Sequence, residues 1–275
     1  EDTELVDPKE TQEGEPANLL RNDEGEQDSD SGPARCRFAV LRASIGQRIA
    51  AAGDPDSPNT VYLSAPLDAT YWPNDQIIQL PDDGAKITGL ANWYNTLVIF
   101  RDRDIWAFIG ADATAEEQAL ILQTSSIGCI AGRTIADVPG MGLVFLGPDN
   151  VYALRGVTAL ENRAEAVPVG EGIRRLLQRS MADGVNGACG VYFDREYRLS
   201  LPASMRQERV FRLGSGASWF VDTLPRTSCY LASKGCLYSG LWTEGSLVRA
   251  EPSWLYDNRD GIPFYAAFRR EALGS

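Results

Sequence analysis

Histidine is absent from this 275-residue chain. Its absence excludes Ser-His and Cys-His catalytic pairs and every His-ligated metal site, and it removes the commonest general base at neutral pH. The sequence also contains no run of 18 or more apolar residues, so no membrane-spanning helix and no membrane partner are predicted.

Motifs for phosphate binding and acyl transfer are missing as well. The chain has no GxxxxGK[ST] loop and no GxSxG elbow, and Gly170 and Gly172 are not followed by the third glycine of a dinucleotide fingerprint. Residues 54–59 lack the glycine and the final glutamate of an EF-hand loop. We therefore expect no cofactor and no metal ion.

Carboxylates remain as acid–base groups, and a glycosidase would need two of them a few ångströms apart. Three pairs are candidates, namely Asp82/Asp83, Asp102/Asp104 and Asp194/Glu196. All three lie in predicted hairpin turns, where aspartate caps and reverses the chain. We therefore interpret them as structural and predict that the protein is not an enzyme.

The five cysteines are scattered and form no CxxC pair (Cys36, Cys129, Cys189, Cys229, Cys236). Thiols without histidine or close spacing make a poor zinc site, so we expect small buried side chains in a reducing compartment. Only Cys229 and Cys236 are close enough to bridge adjacent strands, and the sequence leaves that disulfide open.

Negative charge is concentrated at one end of the chain. Residues 1–34 hold twelve acids and two bases, whereas the other 241 residues have a net charge of −2. This acidic arm has no aromatic residue and few large aliphatics, so alone it is predicted to be extended or disordered. Two interpretations stay open. The arm is either a solvated tail or an extended segment that orders only on a partner subunit, or it is a functional polyanion, for example one that repels DNA from a channel wall.

From residue 35 to residue 275 the pattern is typical of short antiparallel strands forming one domain. The clearest hairpin is LVIFRDRDIWAFIG at residues 97–110, and LVFLGPDNVYALRG at residues 143–156 repeats it, so that Trp106 corresponds to Tyr152. Similar hairpins begin at residues 48, 191 and 236, which gives intervals of 45 to 49 residues.

Such spacing is close to the length of one propeller blade. We predict a mostly-β fold, a β-propeller-like array of about five four-stranded blades, although a sandwich pair or a long β-helix would also place hairpins at this spacing. Residues 171–183 instead carry apolar residues at helical spacing, which predicts one inserted α-helix.

Arginine outnumbers lysine 23 to 3. Arginine is enriched in interfaces, which makes Arg174, Arg175 and Arg179 on the predicted helix a candidate subunit interface, for example with an acidic partner surface. Alternatively, a GC-rich genome accounts for the excess of arginine, and the three helix arginines form a solvated basic face.

Aromatic residues at strand positions could pack between blades or form a sugar-stacking platform. Packing is favoured because these residues fall at repeat-equivalent or strand positions (Trp106, Tyr152, Tyr192, Trp219, Trp242).

Several segments together resemble the virion propellers of tailed phages, the tail hub, nozzle or head-to-tail stabilisation proteins below the portal. The segments are residues 48–53, 59–68, 87–91, 97–106, 125–134 and 142–152. The resemblance extends over roughly residues 48–175 and implies a structural, non-enzymatic component of a ring around the DNA exit channel.

We therefore predict a structural virion protein of the phage tail or neck, assembled in the host cytoplasm. Its expected partners are further copies of itself in a ring and the portal, adaptor and tail proteins, with genomic DNA passing nearby without sequence-specific binding. The alternative functions are a carbohydrate-binding or glycan-cleaving propeller for host recognition, and a bacterial scaffold propeller.

Overall fold

The computed structural model describes residues 33, 35–42, 47–73, 76–93, 96–109, 119–157, 163–204, 210–214, 218–222, 227–242, 247–250, 256–257 and 260–261. The predicted acidic arm, apart from Pro33, lies outside the described residues. None of the described helices is long and apolar enough to cross a membrane.

The described chain folds into antiparallel meanders in which strands consecutive in sequence pair. The first sheet contains β1 (Phe38–Arg42), β2 (Arg48–Ala52), β3 (Thr60–Leu63) and β4 (Ile77–Gln79). The second contains β5 (Ile87–Trp93), β6 (Thr96–Arg101), β7 (Ile105–Ile109) and β8 (Ala119–Thr124). The third contains β9 (Ala136–Val138), β10 (Gly142–Leu146), β11 (Val151–Val157) and β12 (Arg163–Pro168).

The fourth sheet contains β13 (Cys189–Phe193), β14 (Glu196–Ser200), β15 (Val210–Leu213) and β16 (Trp219–Asp222). Three strands of the fifth sheet are described, namely β17 (Thr227–Ser233), β18 (Cys236–Leu241) and β19 (Leu247–Ala250). A short hairpin of β20 (Tyr256–Asp257) and β21 (Asp260–Gly261) follows.

The hairpins expected from the sequence repeat are present, with the predicted turns between them. Ile99 faces Trp106 across the β6–β7 pair, and Phe145 faces Tyr152 across the β10–β11 pair, so the proposed equivalence of Trp106 and Tyr152 is confirmed. Asp194 and Arg195 join β13 to β14 with φ angles of 49° and 64°. Two successive positive φ values are the geometry of a type I′ turn, which follows the twist of the strands.

The five sheets lie side by side in sequence order and meet through their first strands. β1 lies against β5, β9 against β13, and β13 against β17, while a 3-10 turn (Gly132–Thr134) just before β9 lies against β5. Sheets that share such a row of first strands are arranged radially about one axis. A sandwich pair or a β-helix would not give this order of contacts.

Each gap among the first four sheets is filled by its own apolar cluster. The first and second sheets enclose Val61, Leu63, Leu97 and Ile99, among others. Between the second and third sheets, Phe100 meets Phe145 edge-on, with ring centroids 5.1 Å apart. Strand β6 is therefore apolar on both faces, because alternate side chains of a strand point to opposite sides and both sides are covered.

The predicted helix lies between the third and fourth sheets. A 3-10 turn (Glu171–Ile173) leads into helix α1 (Arg174–Met181), and Leu177 is fully buried in the cluster that also holds Leu146 and Leu199. The expected apolar face of this inserted helix is confirmed.

Candidate functional site

A cavity of about 820 Å³ opens at one end of the common axis. Its wall is formed by the segments that begin the first four sheets and by the turn after β2. Phe38 belongs to the first sheet, Ile87 and Thr88 to the second, and Gly132 and Ala188 lie just before the first strands of the third and fourth. The radial arrangement of the sheets therefore creates the cavity.

The rim of this cavity carries an excess of positive charge. Arg37, Lys86 and Arg133 line it and are exposed, whereas Asp54 is the one carboxylate among its described lining residues. These four residues come from three different sheets, so sequence spacing gave no signal that they meet. The nearly neutral charge of the body as a whole conceals this local excess.

The first sheet has a second apolar face, which no described sheet covers. Phe38 and Val40 of β1 point towards the second sheet, so Leu41, the residue after Val40, lies on the opposite face because side chains of a strand alternate. Leu41 is 59% exposed and Ile77 of β4, on the same face, is 47% exposed. Ile49 and Tyr62 lie between them and are partly buried. We call this surface the leading face.

The fifth sheet shows the same feature on its far side. Ala232 and Leu237 pair on the face turned towards the fourth sheet, where Leu237 is fully buried. Leu231 lies on the opposite face beside Tyr238 and is 57% exposed, and Leu247 of β19 is 65% exposed. We call this surface the trailing face.

No protein-family model and no curated protein matches this chain. Among solved structures, the chain is similar to the crystal structure of BamB from Moraxella catarrhalis, with a TM-score of 0.50 at 8% identity over 79% of this chain and 58% of the BamB chain. It is also similar to dihydro-heme d1 dehydrogenase NirN in complex with DHE (TM-score 0.43, 8% identity, 75% of this chain and 46% of NirN).

A third similar structure is PorZ, an essential bacterial surface component of the type-IX secretion system of Porphyromonas gingivalis (TM-score 0.38, 12% identity, 75% of this chain and 25% of PorZ). The chain spans 58% or less of the length of these three proteins. At such low identity, the likeness to BamB concerns the fold alone.

The fold is a β-propeller-like array. It has about five blades, as the sequence repeat predicts, and the leading and trailing faces belong to its first and last blades.

Two of the three carboxylate pairs contribute to one structural ion cluster in the second blade. Arg101 is 1% exposed, and its Nε donates to Asp104 Oδ1 at 2.7 Å while its Nη1 donates to Asp83 Oδ1 at 2.8 Å. The hydrogen bond from Arg101 holds the pKa of Asp83 below its ordinary value. These carboxylates hold a buried guanidinium, which agrees with the structural role expected for them. The predicted hairpin turn is wrong for Asp82 and Asp83, because they lie between β4 and β5, in the connection from the first sheet to the second.

Asp102 and Glu196, which belong to the second and third pairs, also make structural contacts. Asp102 Oδ1 accepts the backbone N–H of Lys86, and Glu196 accepts a hydrogen bond from Arg212 at 3.1 Å. Arg101 itself was not singled out by the sequence analysis. Its signal was present, since it follows the apolar run 97–100 and is followed by Asp102 and Asp104.

The three helix arginines lie on the exposed side of α1. Arg174 forms ion pairs with Asp149, in the β10–β11 turn, and with Glu171, and thereby fixes the helix to its own blade. Within the described part of the chain, Arg175 and Arg179 have no carboxylate partner. Whether they contact another subunit stays a prediction.

The strand aromatics mostly pack between blades, as expected. Tyr152 is buried and Trp106 donates through Nε1 to Asp104, while Tyr192 and Trp219 pack against the cluster around α1. Trp242 is an exception, because it is exposed and covers Gly187 at the cavity wall. The prediction of core packing is therefore wrong for Trp242.

The cysteines differ in burial, and Cys36 and Cys236 are partly buried. Cys129 and Cys189 are buried as expected, and burial raises the pKa of each thiol to about 12. Cys229 is exposed, so the expectation of buried thiols is wrong there. Cys229 and Cys236 lie on adjacent strands but pair with Gly240 and Ser233 respectively, and both are free thiols.

Among the described residues, no three Cys, Asp or Glu side chains are close enough to hold a metal ion.

Proposed function

We propose that this chain is a non-catalytic assembly protein whose copies join head to tail, the trailing face of one copy against the leading face of the next. The observation that carries this proposal is the exposure of Leu41 and Ile77 on the first blade and of Leu231 and Leu247 on the last. Contiguous exposed apolar surface on a soluble protein commonly marks an interaction site.

Inside the array, the faces equivalent to the leading face and to the trailing face already pack against each other. At every described blade contact, the trailing side of one sheet meets the leading side of the next, as in the cluster between the first and second sheets. A contact between copies would therefore continue the packing already present. Because its two patches differ, such a contact is heterologous. It gives a closed ring when the rotation from one copy to the next is a whole fraction of a full turn.

We further propose that this assembly belongs to the tail or neck of a tailed phage. The resemblance of residues 48–175 to phage virion propellers supports this assignment, and so does the engagement of the candidate catalytic carboxylates in structural ion pairs. In such a ring the arginines of α1 are candidates for contacts with neighbouring subunits. No described feature favours the carbohydrate alternative, because four of the five strand aromatics are buried or packed.

The head-to-tail contact is tested with two variants, Leu41→Asp on the leading face and Leu231→Asp on the trailing face. Each is expected to reduce the wild-type oligomer to monomer in native mass spectrometry, because a charge would have to be buried at the contact. Leu67→Asp is the matched control, since Leu67 is exposed in the β3–β4 loop outside both faces.

Mixing the two monomeric variants separates this arrangement from others. Leu41→Asp retains an intact trailing face and Leu231→Asp an intact leading face, so an equimolar mixture is expected to form a mixed dimer that grows no further. A monomeric wild type, or no mixed dimer, would contradict the head-to-tail contact. Absence of the protein from purified particles of a phage whose genome encodes it would contradict the virion role.

A further inference from the structure

We propose that the axial cavity, which opens at one end of the common axis, binds a small organic molecule that carries several phosphate groups. The phosphates are held at the rim by Arg37, Lys86 and Arg133. The proposal concerns one copy of the chain and is independent of how copies assemble. It adds a ligand site and no catalytic step.

The size and the lining of the axial cavity suit an organic ligand. Its volume of about 820 Å³ lies within the range of small-molecule sites, about 300–1,000 Å³. Each of the first four blades also contributes an apolar side chain to the wall (Phe38, Ile87, Ile130, Val185). An organic group finds apolar contacts on this wall, whereas a bare inorganic ion would leave these side chains uncovered.

The rim cations have no ion-pair partner among the described residues. Within that part of the chain, none of the side chains of Arg37, Lys86 and Arg133 forms an ion pair. Two carboxylates lie nearby: Asp54 accepts a backbone N–H of its own turn through Oδ1, and Asp102 accepts the backbone N–H of Lys86. Three cations against two carboxylates that each already accept a backbone N–H leave an excess of positive charge, which attracts an anion.

The backbone at each rim cation is fixed by a hydrogen bond or a turn. The N–H of Arg37 donates to the carbonyl oxygen of the last residue of β2 at 3.0 Å. The N–H of Lys86 donates to Asp102 Oδ1 at 3.1 Å, and Arg133 lies in the 3-10 turn Gly132–Thr134. The three cations therefore start from fixed positions around the opening, which lowers the ordering cost of binding a ligand.

Phosphate groups fit this rim better than a single carboxylate does. A phosphate group carries close to two negative charges and three strong acceptor oxygens, so it accepts hydrogen bonds from more than one cation. The planar guanidinium groups of Arg37 and Arg133 can each donate two parallel hydrogen bonds to such an anion, and Lys86 adds a point charge. Several phosphates on one molecule would reach cations from three blades at once.

Isothermal titration calorimetry with ATP tests the site in the full-length chain at low salt. We expect one saturable site per chain. Lys86→Gln and Arg133→Gln should each weaken ATP binding about tenfold, as loss of a charged hydrogen bond does. The matched controls are Lys234→Gln in the β17–β18 turn and Arg155→Gln on β11, because both residues are exposed and lie outside the cavity lining. Absence of ATP binding to the wild type, or equal weakening in rim and control variants, would overturn the proposal.

A change of charge at Asn186 separates electrostatic attraction from a change in fold. Asn186 is exposed and lines the cavity. We expect Asn186→Asp to weaken ATP binding about threefold and Asn186→Lys to strengthen it about threefold, since each adds one charge near the phosphates. A disturbed fold would weaken binding in both variants. Weakening in both, or no change in either, would contradict phosphate binding at this rim.

Three further probes identify the chemical class of the ligand. Tripolyphosphate has the charge without the organic group and should bind about fivefold more weakly than ATP, because it covers no apolar wall. Adenosine has the organic group without phosphate and should show no measurable binding. Tripolyphosphate or adenosine that binds as tightly as ATP would overturn the combined site. A short DNA duplex that binds where ATP does not would assign the rim to nucleic acid and overturn the small-molecule ligand.

Discussion

Arg101 is a charged side chain held almost completely inside the second blade. Its guanidinium donates to Asp104 and Asp83 and to the carbonyl oxygen of Pro81, and lies 5.9 Å from the ring of Trp106. Arginine suits this position because its planar group has several fixed donors and is always charged. The cluster ties the β6–β7 turn to the segment before β5 and thereby supports one side of the axial cavity.

Replacing Arg101 should therefore be costly. Arg101→Met leaves Asp104 buried with only Trp106 Nε1 as a side-chain donor, and loss of one partner of a buried ion pair costs about 3–5 kcal/mol of unfolding free energy. Arg103→Met is the matched control, since Arg103 is exposed in the same turn and its change should stay within about 0.5 kcal/mol. Urea unfolding measures both, and equal stabilities would refute a structural role for Arg101.

Thiol reactivity should follow the burial of the cysteines. The nucleophile is the thiolate, and a pKa of about 12 leaves Cys129 and Cys189 protonated at pH 8. We expect iodoacetamide to modify exposed Cys229 first and to reach Cys129 and Cys189 only after unfolding in urea. Peptide mapping of the alkylated protein gives the order in which the cysteines are modified. Early modification of Cys129 would show that the cluster between the second and third blades opens in the native state.

At the scale of the elements, the hairpins were predictable because their signals are local. A turn such as residues 147–150 has its own chemistry, and the apolar runs on either side are contiguous in sequence. Helix α1 was predictable for the same reason. The cavity rim was not, since Arg37, Lys86 and Arg133 come together only when three sheets pack around one axis.

The contact between the second and third blades depends on a close approach of two backbones. A Cβ on Gly132 would overlap with the carbonyl oxygen of Thr88 and would lie 3.0 Å from the Cα of Gly89. The 3-10 turn that contains Gly132 is held there by Thr134, whose Oγ1 accepts the backbone N–H of Leu146 at 3.0 Å. Backbone atoms cannot move aside as a flexible side chain can, so the two blades would have to separate.

Gly132→Ala should accordingly destabilise the protein by about 1–3 kcal/mol, the range for overpacking a close contact. Gly172→Ala is the control, because a Cβ there meets no atom within 4 Å. It should be neutral or slightly stabilising, since alanine restricts the unfolded chain more than glycine does. Thermal unfolding distinguishes the two, and a neutral Gly132→Ala would show that the blades tolerate a wider spacing at the axis.

At the scale of the whole molecule, the position of a strand in the array decides its pattern. Strands β6 and β10 read as continuous apolar runs because blades lie on both of their sides, whereas Leu41 and Leu231 belong to blades with one side uncovered. The repeat spacing predicts the number of blades. The spacing does not predict which faces of the first and last blades are exposed, because the exposure of a face depends on what lies beyond it.

Burial of protonated groups throughout the array should make the protein sensitive to alkali. Burial raises the pKa of Cys129, Cys189 and Tyr152 to about 12, and it also raises the pKa of Tyr197 and Tyr230 above the ordinary tyrosine value. The unfolded chain releases these protons at lower pH, from about pH 9 for a thiol. Above that pH the folded state holds more protons than the unfolded state, so stability falls as pH rises.

We therefore expect the melting temperature to be nearly constant from pH 7 to pH 8.5 and to fall continuously between pH 9 and pH 12. Cys129→Ala removes one of the buried thiols and should make this fall shallower, whereas Cys229→Ala, at an exposed position, should follow the wild-type curve. Differential scanning calorimetry at low protein concentration measures the profile. A melting temperature that stays constant to pH 11 would mean that water reaches these groups in the folded state, and that the clusters between the blades are less tightly closed than their burial indicates.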